Sequence, residues 1–431
     1  MVTDLGNFPV IGDVDDFIGF KHGRGAVAQI DSRLYKSDFR FWANKLDNAF
    51  PFEFCGTTPS NSHSRPLNHE VSSRMHCVPK SAKAPRIIAA EPVEHQWCQQ
   101  FMWSRLNKAI RSSISGKFID FKRQDLSGEL VRAASRDGEL ATVDLSDASD
   151  RLSCFVVERI FRSNPEILDQ LHAVRTRSIR HIDGSTILLK KYASQGTAVT
   201  FPIQSLVFLC IALGCSIPDH RRASKCEIWR LIGRVRVYGD DIIIPSTGYE
   251  KLCRIMDLLQ LKVNVTKSYV HGRFRESCGS DFYRGYCVTP VKPKSIASDG
   301  PTKRLALIEC SNNLFKKGLW QASEKCLDLL PPWVRKNLLV VDQRSVGYFG
   351  LVSFTGGSHD HLRWRWNYGL HRYEVRAYRV TTRARTTVRS GYSLLLDFFS
   401  QHHSPLSSRV VSERGYSSES KDRLGRGRPA S

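Results

Sequence analysis

The chain lacks several things that would have narrowed its class at once. Its twelve cysteines stand singly from Cys55 to Cys326, with no Cys-x-x-Cys pair, so a zinc site is not indicated. A chain of 431 residues is too large to need a disulfide scaffold, and a reducing compartment is expected. The longest apolar run, Leu206 to Gly214, is far too short to span a bilayer. Met1 to Asp13 holds two acids and no basic or long apolar region, so no signal peptide is expected. Internal repeats are absent. Acids are in deficit: 42 Asp and Glu face 64 Lys and Arg, a formal charge of +22. That excess points to a polyanionic partner, most simply nucleic acid, although ribosomal and membrane-surface proteins share it. A 41% hydrophobic fraction fits a soluble globular chain of two or three domains, or one large lobed one.

The most informative stretch is Arg234 to Pro245, Arg-Val-Arg-Val-Tyr-Gly-Asp-Asp-Ile-Ile-Ile-Pro. Two β-favouring runs flank Gly-Asp, which is turn chemistry, so the segment predicts a hairpin with Asp240 and Asp241 at its tip. Adjacent carboxylates repel and must be hydrated, paired or bound to cations, and an oxygen-only pair suits Mg²⁺ or Mn²⁺. Alone, the pair reads equally as an exposed turn.

Other segments add to it. Aromatics recur from Phe8 to Phe54 with little periodic signal. Val78 to Ile88 carries Lys80, Lys83 and Arg86 between Pro79 and Pro85, an extended basic segment that either lines a phosphate channel or is a solvated loop. Glu94 to Ile110 predicts a helix with Trp97, Phe101, Leu106 and Ile110 on one side. Leu140 to Leu145 predicts a strand with Asp144 near its end, and Asp150 precedes a helix expected over Arg151 to Phe161. Asp147 and Asp150 can also be read as helix N-caps. Tyr192 to Val199 is a small-residue loop before a helix whose buried stripe is Ile203, Leu206, Val207, Cys210 and Ile211. Thr200 and Gln204 lie on its other face, either meeting a ligand or capping and facing solvent. From His359 onward arginines and aromatics interleave. That mix suits single-stranded nucleic acid, or else a basic surface over buried rings. The Ser/Arg/Gly-rich end is expected to be disordered.

In this order the segments resemble the replicase subunit of the single-stranded RNA bacteriophages, the levivirus group. The carriers are Val-Pro-Lys-Ser-Ala-Lys-Ala-Pro-Arg with Glu91-Pro92, Thr-Val-Asp-Leu-Ser-Asp-Ala-Ser-Asp, Ser-Gln-Gly-Thr-Ala-Val-Thr-Phe-Pro-Ile-Gln-Ser-Leu, Tyr-Gly-Asp-Asp and Phe-Arg-Glu-Ser-Cys-Gly. The segment Phe20 to Val27 adds to them, and the likeness covers roughly residues 15–320. It implies an α+β right hand: fingers over residues 1–138, a palm over 139–290 with a small fingers insertion near 160–190, a mostly helical thumb over 291–415 and a basic tail over 416–431. It implies an RNA-dependent RNA polymerase that replicates a phage genome in the cytoplasm of the infected bacterium. RNA template and product and NTPs would be its partners, with host translation elongation factors and a ribosomal protein, and no membrane.

Nucleotidyl transfer by that family implies two Mg²⁺ (or Mn²⁺) ions. By the resemblance, Asp144, Asp240 and Asp241 would be the metal ligands. Asp150 would read the ribose 2′-hydroxyl. Ser194, Gly196 and Thr200 would hold template and nucleotide, and Lys80, Lys83 and Arg86 the triphosphate. Lys267 would be either a general acid for pyrophosphate or a structural lysine. Two departures stand out: Gln204 where the family leads one to expect Glu, and a short stretch before the basic segment, which implies reduced fingers or an incomplete reading frame. A reverse transcriptase shares the palm, but Asp150 opposes it. A decayed, non-catalytic RNA-binding palm is opposed by the presence of all three acids.

Overall fold

The computed structural model describes residues 3–5, 19–29 (except 24), 36, 39–56, 65–78, 85–294 (except 222), 297–342, 350–388 and 414–427. Two compact units divide at Thr289 and Pro290.

The first unit opens with short helices α1 (Asn44–Ala49) and α2 (Phe52–Cys55), then strands β1 (Ser73–Val78) and β2 (Arg86–Ala90), which form an antiparallel pair. Helix α3 (Val93–Ser112) follows, its predicted stripe of Trp97, Phe101, Leu106 and Ile110 buried. The scattered N-terminal aromatics find their purpose here. Phe20 stacks on Phe101 at 4.3 Å between ring centroids, and Phe39, Trp42, Phe50 and Phe52 are buried in the same core. Such rings bury much area without any helical or strand period, which is why the sequence shows no pattern there.

Helix α4 (Asp125–Asp137) leads to β3 (Leu140–Val143). The strand expected to run to Leu145 breaks at Asp144, and Leu145–Ser146 forms a separate strand, β4. A one-turn helix α5 (Ala148–Arg151) precedes α6 (Cys154–Phe161), where one helix from Arg151 was expected; Ser153 caps α6 by accepting from the Val156 N–H at 3.3 Å. Asp147 stands at the cap position of α5 but in left-handed conformation (φ 53°), and its side chain caps nothing. Helix α7 (Pro165–Val174) and strands β5 (Ser178–Arg180) and β6 (Thr186–Leu188) come next, giving a sheet in the order β2-β1-β5-β6.

Helix α8 (Thr200–Ser216) is buried on nearly every side, so Thr200 and Gln204, expected on a polar face, lie inside. After α9 (Lys225–Arg230) come β7 (Arg236–Tyr238) and β8 (Asp241–Pro245), the predicted hairpin. The central sheet has the order β3-β8-β7, with Val143 opposite Ile242 and Leu140 opposite Pro245. Helices α8 and α10 (Tyr249–Leu258) pack together. Strand β9 (Lys262–Val263) pairs with β4, and β10 (Phe274–Ser277), β11 (Ser280–Tyr283) and β12 (Tyr286–Cys287) form an antiparallel meander.

Arg275 on β10 is fully buried and forms no ion pair with a carboxylate among the described residues. Instead its guanidinium donates to the carbonyls of Leu140 (2.6 Å), Phe274 (2.7 Å), Val270 (2.8 Å) and Gly272 (3.1 Å). The planar fork can serve several carbonyls at once, which ties β10 and its approach loop to the start of β3.

The second unit begins with helices α11 (Pro301–Lys316), α12 (Trp320–Asp328) and α13 (Pro332–Arg335). Strands take over from Val340: β13 (Val340–Asp342), β14 (Leu351–Ser353), β15 (Arg363–Asn367), β16 (Arg372–Val388) and β17 (Arg414–Gly427). The mostly helical expectation therefore describes only the first part of this segment, and the tail expected to be disordered holds β17, paired antiparallel with β16. The interleaved residues of β15 are a strand alternation. Trp364 and Trp366 share one face and Arg363 and Arg365 the other. The rings are not buried beneath the basic surface, since Trp364 and Tyr373 are 46% and 58% exposed. All twelve cysteines are free thiols, and no helix among the described residues is long and apolar enough to cross a membrane.

Replacing Arg275 by leucine should strand several buried carbonyls and lower the unfolding free energy by roughly 3 kcal/mol. Arg275→Lys should recover only part of that, because an ammonium cannot fork across them. Urea unfolding of the two variants beside the parent measures it, and equal stability of all three would refute the clamp.

Candidate active site

The site is built where β3 and β10 end and β8 begins. Asp144 follows Val143, whose partner is Ile242, so it leaves the sheet at the end where Asp241 begins. Asp241 pairs with Tyr238 across the turn, and Gly239 and Asp240 close it. Gly239 has φ +67°, and a Cβ there would overlap the Phe201 ring. Phe201 also meets Tyr238 edge-on at 5.1 Å. From the same helix, Ser205 Oγ accepts from the Gly239 N–H at 3.0 Å while donating to the Phe201 carbonyl at 2.7 Å. The tip thus rests on the first turns of α8.

Asp144 is held by neighbours from the β9 side. Asn264 Nδ2 donates to its Oδ2 at 3.0 Å, Lys267 Nζ stands 3.8 Å from the same oxygen, and its own N–H donates to Ser268 Oγ at 3.2 Å. The Lys267 side chain is 62% exposed. Asp241 is pushed up to about 7, first by burial, then by the charges of Asp240 and Glu276, although Cys278 partly offsets this through hydrogen bonds. Glu276 is itself raised by burial and by the nearby charges of Asp281 and Asp144, with Lys267 opposing. The charges of Asp144 and Asp240 thus act on two partly buried carboxylates, Glu276 and Asp241, which also act on one another. Among the described residues no three His, Cys, Asp or Glu side chains are gathered closely enough to ligate an ion.

The remaining predicted residues surround this centre unevenly. Asp150 pairs with Lys191. Ser194 and Thr200 are buried, and Thr200 Oγ1 donates to the Ser194 carbonyl at 2.8 Å. Gly196 (φ +123°) lies against the Ala89 carbonyl so closely that a Cβ could not fit, and the Ala89 N–H donates to the Gln195 carbonyl at 2.7 Å. Buried Glu91 accepts from Thr197 Oγ1 at 2.8 Å and from Gln99 Nε2 at 3.1 Å, and also from Thr176 Oγ1. The loop is thereby fixed to β2. Arg86 opens β2 and is exposed; Lys80 and Lys83 lie outside the described residues. Sequence reasoning gave no role to Asn264, Glu276, Cys278, Ser205 or Lys191. Glu276 and Cys278 lay inside a quoted motif, and only the fold carries them to Asp241.

A model of the RNA replicase beta-chain family matches residues 52–314, more than half of the chain, and the chain belongs to that family. Its α+β architecture is the one expected. The RNA-directed RNA polymerase subunit beta of Qbeta virus (strain MX1) is 35% identical over 286 residues, 64% of this chain and 44% of that protein. The RNA-directed RNA polymerase beta chain of Escherichia phage MS2 is 32% identical over 220 residues, 51% of this chain and 37% of that one. The chain spans about half the length of these relatives or less. Among solved structures, the RNA-dependent RNA polymerase of a human picobirnavirus superposes with a TM-score of 0.43 at 12% identity, over 60% of this chain and 55% of that one.

The elevated Asp241 carboxyl gives a signed pH dependence. The unfolded value is about 4. The folded state therefore binds this proton more tightly, and its contribution to stability is full below about 4 and lost as pH rises to about 7. In chelator, Asp241→Asn should melt higher than the parent at pH 8 and lose that advantage at pH 4.5. Thermal unfolding at both values checks it, and a difference independent of pH would refute the shift. Gly239→Ala should cost about 1–3 kcal/mol through its positive φ and the Phe201 contact together, read by denaturant unfolding.

Proposed function

We propose that this chain is a template-directed RNA polymerase that copies single-stranded RNA from NTPs, replicating a phage genome in the cytoplasm of its bacterial host. The observation that carries the reading is the crowding of Asp144, Asp240, Asp241 and Glu276 at one strand edge, with Asp241 raised to about 7. Such mutual repulsion costs stability, and bound cations would relieve it. Family membership supports the same reaction class. In this reading residues 1–138 are fingers, 139–290 palm and 291–415 thumb.

The all-oxygen donor set fits Mg²⁺ or Mn²⁺. Asp144 and Asp240 would hold two ions, with Asp241 supporting; bound there, they would activate the attacking 3′-hydroxyl and stabilise the pyrophosphate. The chain's own residues supply the rest. Phe201 and Ser205 keep the hairpin tip in place beneath the reacting atoms. Asn264 orients the Asp144 carboxylate. Asp150 accepts from the ribose 2′-hydroxyl, while Ser194, Gly196 and Thr200 shape the loop beside template and nucleotide. Lys80, Lys83 and Arg86 neutralise the triphosphate. Lys267, beside Asp144 and largely exposed, can deliver a proton to the leaving pyrophosphate. The +22 charge suits an RNA partner, and relatives named as subunits support work in a complex with host proteins.

Labelled NTP incorporation on an RNA template with Mg²⁺, in bacterial extract, should fall at least about 10³-fold in Asp240→Asn. RNA binding without product in the parent chain would instead favour a decayed palm. If Lys267→Arg left both rate and pH profile unchanged, the proton-donor role would be lost.

A further inference from the structure

Asp150 does not stand alone. Lys191 Nζ pairs with its Oδ1, in a site where the two side chains are 22% and 37% exposed. The backbone that carries this lysine is held on two sides. Lys191 forms an antiparallel bridge with Ser153, and the Tyr192 N–H donates to the Leu152 carbonyl at 2.7 Å. From the other side, Arg175 donates to the carbonyls of Leu189 (2.6 Å), Lys191 (2.8 Å) and Tyr192 (3.1 Å). The strap so formed runs directly into the loop that carries Ser194 and Gly196. A solvated ion pair needs no such scaffold, and one side chain of a loose pair would be expected to swing free.

We infer that Lys191 is a positioning residue for sugar discrimination: by occupying one oxygen of Asp150, it holds the second oxygen to accept from the 2′-hydroxyl of the incoming nucleotide. This rests on the assignment of Asp150 in the proposed function. The physical reason is that an acceptor rejects a substrate lacking the donor only if it is fixed. A carboxylate free to rotate turns to water when a 2′-deoxynucleotide binds and loses little. A carboxylate pinned by Lys191 is left with an unpaired oxygen.

The test measures kcat/KM for ATP and dATP with the full chain on an RNA template in bacterial extract. Lys191→Met should lower the ATP-to-dATP ratio about tenfold or more, by loss on ATP with little change on dATP. Lys191→Arg should restore the ratio. Melting temperatures read in parallel separate positioning from unfolding, and Lys191→Gln serves if the methionine variant does not fold. An unchanged ratio, with both substrates slowed equally, would overturn the inference and leave Lys191 a structural residue. Asp150→Ala distinguishes the two levels. If it keeps the parental ratio, the assignment of Asp150 fails and this inference fails with it. If it abolishes the ratio while Lys191→Met keeps it, only this inference fails.

Discussion

The candidate active site depends on the pairing of β3 with β8. That register sets Val143 against Ile242 and so brings Asp144 and Asp241 to the same end of one sheet. Both strands are apolar and buried, so a slip by one residue would turn every side chain to the wrong face. The acids are therefore located by the burial of Ala141, Val143, Ile242 and Ile244, residues with no chemistry of their own. The β7–β8 turn then adds Asp240 at no further cost in chain placement. Arg275 reinforces the arrangement from the opposite end, since its bond to the Leu140 carbonyl fixes where β3 starts.

Gathering acids in this way opposes folding, and the surroundings are arranged to limit the cost. Asp144 receives a hydrogen bond from Asn264 and the field of Lys267. The Asp241 carboxyl, pushed up to about 7, is bonded by Cys278. Phe201 and Ser205 hold a turn whose left-handed glycine would otherwise be free to rearrange. The strain and the repulsion are thus local, while the packing that offsets them lies in α8 and the large core of the first unit.

What the sequence made legible follows from period and turn chemistry. The hairpin was readable because Val235, Val237 and three isoleucines flank a Gly-Asp turn. Helix α3 was readable from one stripe, yet its first turns also bury Glu94, His95, Gln96 and Gln99, which no rule of polarity anticipates. The polar face assigned to α8 failed for the same reason: Thr200 and Gln204 are polar but enclosed. Arg275 and Glu91 are charged yet buried, and their partners (backbone carbonyls, hydroxyls and an amide) are scattered along the chain where no motif marks them. Distant partners such as Asn264 for Asp144 and Lys191 for Asp150 leave no local pattern, so three of the four acids could be listed from sequence but Glu276 and the wiring could not.

The two lysines at the site are wired differently, and the difference matches the roles proposed for their partners. Lys267 is 62% exposed and 3.8 Å from Asp144, a contact of the kind worth about 0–1 kcal/mol. An acid that must give its oxygens to a cation should be held no more tightly than that. Lys191 is mostly covered and its backbone is clamped by Arg175, so its contact with Asp150 is less solvated than that of Lys267 with Asp144 and starts from a fixed backbone position. In the proposed reading Asp150 presents one oxygen to a sugar, and an acid with that task gains from being held firmly. Loose pairing for a ligand and firm pairing for a reader are both obtained from a Lys–Asp contact. What separates them is how far the backbone around the lysine is committed before the substrate arrives.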